Sequence, residues 1–285
     1  MFPKQVNRAK PSFANINLLG KCNVKCFFCL GEDIPQYLGK YNQLKTEFYN
    51  WPNFGDFLTL CKKEGITNLY ITGQNTDALL YKHLWSLITN LQALDMGFDV
   101  GIRTNGYMFE KNMELVKTAN LCRRSVGVSI HTLIPQVNEK IMGRDHIPDW
   151  DLLLPLFHNL RVSIVVNRYN VGEIPDILLY LKQFPNIRYV QLRRISTDTR
   201  SDKLSQDQDV FNNLARIFEK CGEDGDYKIL EPFYGAKRYF AFGHEIVLWP
   251  TVSTSIGSFN YFTDGTISKK YFVIEGYLKE NGITL

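Results

Sequence analysis

Along most of the chain, short apolar runs alternate with longer stretches whose apolar residues recur every three or four positions. The runs have the length of buried strands, and the longer stretches have the period of amphipathic helices. The runs are Phe13 to Leu19, Asn68 to Thr72, Phe98 to Arg103, Ser125 to Ile130, Arg161 to Val166 and Tyr189 to Leu192. Between them, Leu80, Leu84, Leu87, Ile88 and Leu91 mark one helical face, and Ile177, Leu178 and Leu181 mark another. Gly65 and Gly97 stand where helices end, since glycine closes a helix in the left-handed conformation without a Cβ penalty. Strand and helix in this alternation predict βα units around a parallel sheet.

The pattern changes twice. Gly31 to Pro52 is a long connection rich in Tyr, Lys and Gln, expected either to fold over the mouth of the loop after the first strand or to be a mobile loop. After the sixth run, Ser196 to Gln208 mixes acidic and basic residues and reads as an exposed loop. Val210, Phe211, Leu214, Ile217 and Phe218 then predict a further helix ending near Gly222. From Glu231 onward aromatic and β-branched residues dominate, with a turn signal at Asp264-Gly265. This predicts a small C-terminal β-rich cap, in which Trp249 and Tyr261 serve as core aromatics or close a pocket. The expected division is 1–220 for the main domain, with its core at about 13–195, and 221–285 for the cap.

Composition adds little that is specific. A 45% hydrophobic share with 22% charged residues is ordinary for a globular protein. The net charge of +4 is dispersed and gives nucleic acid no support as a partner. No apolar run approaches the roughly eighteen residues of a membrane span, and Met1 to Lys10 has no signal-peptide core.

Cysteine spacing changes the picture. Cys22, Cys26 and Cys29 lie within eight positions, with Phe28 just before the last. A disulfide framework does not suit a long chain with six cysteines and no secretory leader, and the expected location is a reducing cytoplasm. A zinc site, the alternative of a non-catalytic module, wants four ligands, commonly from two separated Cys/His pairs. Here Cys61, Cys122 and Cys221 stand alone and the histidines are scattered. Three thiolates instead suit a [4Fe–4S] cluster held by three of its four irons, the fourth being open to a small molecule.

The stretch Cys22-Asn23-Val24-Lys25-Cys26-Phe27-Phe28-Cys29 resembles the signature of the radical S-adenosylmethionine (radical SAM) superfamily. The resemblance spans about Phe13 to Leu192 and implies a partial (β/α)6 barrel with the cysteine loop after the first strand. It also implies a [4Fe–4S] cluster and SAM as cofactors, and a one-electron donor such as flavodoxin or ferredoxin. The chemistry of such barrels sits at the carboxyl ends of the strands, so residues just after each run take the functional reading. Those within the runs take the structural one.

On that resemblance, Phe28 matches the aromatic residue near the adenine. Thr72-Gly73-Gln74-Asn75-Thr76 matches a Gly-Gly-Glu-Pro turn that meets the SAM amine, with Gln74 in place of glycine and Asn75 in place of glutamate. The same stretch also reads as a plain turn, with Thr76 or Asp77 capping the next helix. Thr104, Asn105 and Gly106 resemble the Thr-Asn-Gly turn after the third strand. Ser129 resembles a residue meeting the SAM carboxylate or ribose. His131 is either a proton donor or acceptor facing the pocket or a structural histidine. Asn167 resembles a ribose ligand, and Arg168 suits a carboxylate. By alternation Gln191 and Arg193 share one face while Leu192 and Arg194 share the other, so one arginine faces inward. That guanidinium would meet a carboxylate or phosphate, unless it pairs on the surface with Asp198 or Asp202.

The expected activity is reductive cleavage of SAM and hydrogen abstraction from a small polar metabolite in a biosynthetic pathway. The alternative within the same chemistry is maturation of a peptide or protein. His131, Arg193 and Arg194 are the candidate catalytic residues, and Cys22, Cys26 and Cys29 the candidate cluster ligands.

Overall fold

In the computed structural model, described for residues 13–95, 97–195, 204–233, 235–250, 258–269 and 282, eleven strands form one sheet. They are β1 (Phe13–Leu19), β2 (Asn68–Gln74), β3 (Asp99–Thr104), β4 (Val126–Ser129), β5 (Leu160–Val165), β6 (Ile187–Arg193), β7 (Lys228–Phe233), β8 (Ala236–Ala241), β9 (His244–Trp249), β10 (Ser258–Phe262) and β11 (Ile267–Ser268). Their order is β11-β10-β1-β2-β3-β4-β5-β6-β9-β8-β7. All six predicted runs are present, each within two residues of its expected ends, and β1 to β6 lie side by side in parallel. The sheet does not close on itself, and the architecture is a partial barrel.

Side chains alternate between the two faces of the strands, apart from a register shift between Leu160 and Arg161 where β5 meets β6. Ile16, Leu18, Ile71, Ile102, Val128, Val162, Ile164 and Leu192 turn to one face and are fully or almost fully buried. There they pack on the connecting helices Phe54–Lys63, Leu84–Ala93, Ile174–Leu181 and Ser205–Glu223. Each such side chain contributes about 1.5–3 kcal/mol by leaving water, so this layer carries the fold. Their neighbours in sequence turn to the other face, and many of these are polar: Asn15, Asn17, Gln74, Arg103, Arg161, Ser163, Gln191 and Arg193. The register puts them in tiers across the strands: Arg103 beside Gly127 beside Arg161, then Ser129 beside Ser163 beside Gln191. The inner face of the barrel is therefore a polar wall.

The C-terminal β-rich part joins the same sheet at both of its sides. β9 runs parallel to β6 and leads the antiparallel pair β8 and β7, while β10 runs parallel to β1. Asn15 donates to the Asn260 side chain at 2.8 Å, and Leu19 donates its N–H to Thr263 Oγ1 at 3.0 Å, tying β10 to β1. Tyr261 is a core residue that stacks on Trp51 and donates to the Pro52 carbonyl. The turn at Asp264-Gly265 joins β10 to β11, with Gly265 at φ +93°.

One local expectation gains detail and another is corrected. The Gly31 to Pro52 connection carries a helix, Pro35–Lys40, whose Tyr37 and Leu38 pack with Leu19 and Phe262; it is anchored to the β1–β10 side. Tyr37 donates to Asp264 at 2.8 Å. The polar stretch expected as an exposed loop to Gln208 already belongs to a helix from Ser205, and Asp207 is wholly buried there. Arg168 pays for that burial, donating from Nη2 to Asp207 Oδ2 at 2.7 Å. Residues 196–203 lie outside the described residues.

Candidate active site

At the carboxyl end of the strands, the loop after β1 bends over a cavity of about 200 Å³. Cys22, Cys26 and Cys29 all line it. The loop is held from beneath by the end of the helix Pro135–Met142: Lys25 N–H donates to the Met142 carbonyl at 2.8 Å and Phe27 N–H to that of Ile141 at 3.1 Å. The Arg144 guanidinium donates to the Asn23 carbonyl. Val24, Tyr107, Ile141 and Met142 give the loop an apolar bed.

On the far side, Asn105 reaches back to the loop, with Nδ2 2.8 Å from Asn23 Oδ1 and 3.7 Å from Cys22 Sγ. The turn that presents Asn105 is fixed by Asp77. Its carboxylate accepts from Thr104 Oγ1 at 2.8 Å, from Asn105 N–H at 2.7 Å and from Leu79 N–H at 2.9 Å. Burial pushes the Asp77 carboxyl above its usual range, and these three donors pull against that shift. Gly106 sits at φ +82°, and a Cβ there would stand 2.6 Å from the Trp150 ring, so only glycine fits this turn.

The structure sorts the expected site residues. Phe28, Gly73, Thr104, Asn105, Ser129, His131 and Arg193 line the same cavity as the cysteines. A Cβ on Gly73 would run into the Thr76 carbonyl, which is why the β2 turn needs glycine. The other expected residues do not line this cavity. Asn75 takes the left-handed conformation at φ +54° and packs against Gly31. Asn167 is spent within its own turn, donating to the Val165 carbonyl and accepting from Tyr169 N–H. Arg168 is engaged by Asp207. Gln191 lies behind Arg161, 3.5 Å from Nη1. Arg194 follows the end of β6 and donates its backbone N–H to Trp249.

Four wall residues escaped the sequence reading. Asp77 lies two residues past the position at which an acid was sought, and its cap signal was the clue available. Arg103, Arg161 and Ser163 lie inside the strand runs, where a structural role was expected. A charge at alternate positions of a strand usually marks a solvated face, and only the curvature of the sheet turns it inward.

His131 is resolved by its partners. Val165 N–H donates to Nδ1 at 3.1 Å, and a backbone amide has only a proton to offer, so Nδ1 is the acceptor and Nε2 carries the hydrogen. The ring meets Phe28 edge-on at 5.1 Å. Burial, and then the charge of Arg193, lower its pKa to about 3. In the folded chain the neutral ring of His131 is therefore the favoured form. Below the ordinary histidine pKa of about 6.5, the unfolded chain binds a proton that the folded His131 refuses. Stability should therefore fall as pH drops, by up to about 1.4 kcal/mol per pH unit on this account. His131→Asn keeps an acceptor for Val165 and should flatten that slope; urea melts of both proteins across the acid range measure it, and parallel slopes would count against the assignment.

The donor set fits an iron–sulfur cluster. Burial, with the charge of Asp77 second, pushes the Cys22 thiol up to about 12, so a thiolate there needs a cationic partner. Among the described residues no three Cys, His, Asp or Glu side chains gather tightly enough for a single metal ion. Thiolates around one zinc stand only about 3.8 Å apart, given bonds of about 2.3 Å. A cluster spreads its ligands over separate irons.

A sequence profile of the Radical SAM superfamily matches residues 16–188. The chain belongs to the radical SAM superfamily. Members of this superfamily are enzymes that use a [4Fe–4S] cluster and SAM. Among curated relatives, GTP 3',8-cyclase of Aquifex aeolicus is 24% identical over 214 residues, 71% of this chain and 64% of that protein. GTP 3',8-cyclase of Campylobacter fetus is 23% identical over 64% of this chain and 54% of that protein. Human Molybdenum cofactor biosynthesis protein 1 is 29% identical over 63% of this chain and 28% of that protein. The chain thus spans about three-fifths of the length of the first relatives it matches. Streptococcus suis SuiB bound to S-adenosylmethionine superposes with a TM-score of 0.62 at 14% identity, covering 92% of this chain and 60% of that one. That likeness shows the radical SAM fold. No helix among the described residues is long and apolar enough to cross a membrane.

Proposed function

We propose that this chain is the catalytic barrel of a radical SAM enzyme that takes a hydrogen atom from a small anionic metabolite. Cys22, Cys26 and Cys29 hold the cluster. When bound, cluster and SAM supply one-electron cleavage of SAM to methionine and a 5′-deoxyadenosyl radical, which leaves as 5′-deoxyadenosine after taking the hydrogen. The chain's own residues bind and orient. Phe28 and Met142 keep water from the rim; Ser129 and the Nε2–H of His131 provide polar contacts at a fixed depth; Arg193 meets a carboxylate. The observation that carries this reading is that the three cysteines share one cavity with inward-facing arginines.

The names of the relatives make GTP the first compound to test. The core at 13–195 carries the chemistry, and 221–285 is its C-terminal extension. Six free cysteines suit a reducing cytoplasm, and the electron donor is a flavodoxin- or ferredoxin-type protein.

The test is 5′-deoxyadenosine release by anaerobically reconstituted, reduced protein with SAM. It is run with GTP, with other nucleotides and with the small-molecule fraction of host extract. Stimulation by one of these supports the reading. Stimulation only by a peptide or protein fraction would replace it with maturase activity, and no release from protein shown to hold its cluster would reject it.

A further inference from the structure

The helix Pro135–Met142 ends as Gly143 takes the left-handed conformation at φ +66°, and the chain turns back at once toward the cysteine loop. Arg144 is the next residue. Its Nε donates to the Asn23 carbonyl at 2.6 Å and its Nη2 donates to the same oxygen, so two N–H groups of one guanidinium close on a carbonyl that lies between Cys22 and Cys26 in the chain. The guanidinium also lies over the Tyr107 ring, with Cζ 5.6 Å from its centre. Tyr107 is itself fixed: its hydroxyl donates to the His146 carbonyl at 2.7 Å and accepts from Asn138 Nδ2 at 2.6 Å. Asn138, buried on the same helix, also donates to the Arg144 carbonyl at 2.8 Å. Ring, helix end and loop carbonyl together hold this cation in one place.

Two observations set Arg144 apart from the arginines of the barrel wall. It does not line the cavity, so it meets the back of the cysteine loop and not what the cavity holds. Among the described residues no carboxylate forms an ion pair with it, and the neighbouring Glu110 is engaged by His146 at 2.7 Å. Its charge is therefore set against a neutral carbonyl. Cys26 lies close to the same ring. Burial raises the pKa of the Tyr107 hydroxyl, the Asn138 hydrogen bond and the charge of Arg144 lower it, and a charged Cys26 raises it again. Val24, Tyr107, Ile141 and Met142, with Cys22 and Cys26 packed against them, keep the space between apolar, so the field across it is weakly screened.

We infer that Arg144 is a positioning residue of the cysteine loop whose positive charge raises the reduction potential of the cluster held by Cys22, Cys26 and Cys29. This rests on the cluster assignment made under the proposed function. Reduction adds one electron, taken from the one-electron donor, to a site that already carries three thiolates; no bond forms or breaks in that step. A fixed cation behind the loop favours the more negative state. Opposite charges about 10 Å apart at an effective dielectric of about 20 attract enough to shift an equilibrium constant roughly tenfold.

The experiment is a redox titration of anaerobically reconstituted protein, followed by electron paramagnetic resonance after iron and sulfide analysis. Arg144→Gln keeps a donor for the Asn23 carbonyl and loses the charge. Its ratio of reduced to oxidised cluster at a fixed potential should fall about tenfold, which for one electron is a midpoint lower by about 59 mV. Arg144→Lys keeps the charge and should stay close to wild type, as should Arg216→Gln, an exposed arginine of the helix Ser205–Glu223. If Arg144→Gln protein does not keep its cluster, Arg144→His decides. Relative to wild type, its midpoint should drop as pH rises through about 6.5, where an imidazole loses its charge. Equal midpoints in wild type and Arg144→Gln, or a pH trace of Arg144→His parallel to wild type, would overturn the inference. So would a drop in Arg144→Lys as large as that in Arg144→Gln, because charge would then not be the cause. Loss of the cluster from all three Arg144 variants would also overturn it, leaving Arg144 a purely structural role. Wild-type protein without iron and sulfide would instead reject the cluster reading, and this inference with it.

Discussion

Cys26→Ala protein should release no 5′-deoxyadenosine above the background of cluster-free protein, and its bound iron and sulfide should fall with it. Cys26 is the middle of the three cavity-lining thiols, and its carbonyl accepts the Cys29 N–H at 2.9 Å, so the loop is a short turn that aims neighbouring sulfurs into one space. Removing one thiolate from a three-thiolate site leaves an iron without a protein ligand. Cys22→Ala and Cys29→Ala should behave alike. Cys61 and Cys122 are buried in the helix layer, where burial pushes both thiols up to about 12 and keeps them unreactive. Alanine at Cys61, Cys122 or Cys221 should therefore leave SAM cleavage intact. Iron and sulfide analysis together with 5′-deoxyadenosine assays checks the whole set; full cleavage by Cys26→Ala protein would remove the cluster from this loop.

The second large effect is expected from Asp77→Ala. Its side chain serves three buried donors on two segments, the turn after β2 and the turn after β3. Alanine leaves Leu79 N–H, Asn105 N–H and the Thr104 hydroxyl without that acceptor, at about 1–3 kcal/mol for each buried group left unsatisfied. Partial relaxation brings the expected loss to about 3–5 kcal/mol, a large share of a typical stability of about 5–15 kcal/mol. The melting temperature should drop by roughly 10 °C. Asp77→Asn is no rescue, because one oxygen becomes a donor facing another donor. Freed from Asp77, Asn105 should lose its aim at Asn23 and Cys22, so surviving protein should also hold its cluster more weakly. Calorimetry of Asp77→Ala beside the exposed Asp95→Ala measures this. Equal melting temperatures would mean that Asp77 does not join the two turns.

These two residues show how differently the site could be read in advance. The cysteines were legible because a cluster ligand set is a local matter: spacing along one loop decides which sulfurs meet. Gly73, Thr104 and Asn105 were legible for the same reason, as short turns closing consecutive βα units. Asn75 misled because counting along the turn presumes one backbone path. The left-handed kink at Asn75 sends that residue toward Gly31, and the acid that reaches the cavity is Asp77. Arg168 misled because its carboxylate partner, Asp207, belongs to a helix that begins within a stretch expected to be loop.

By itself, the sequence determined the order of strands and helices from β1 to β6, the parallel sheet, and the three cysteines after its first strand. Each follows from hydrophobic period or from spacing within a few residues. Tertiary structure alone decided that β9 and β10, distant in sequence, pair with β6 and β1, because such pairing depends on which backbone edges remain open once the first six strands are laid down. It also decided which face of those strands turns inward. An arginine at alternate positions looks the same on a solvated sheet and on the inside of a curved one. Curvature, with Gly101 and Gly127 making room, placed Arg103 and Arg161 at the floor of the cavity.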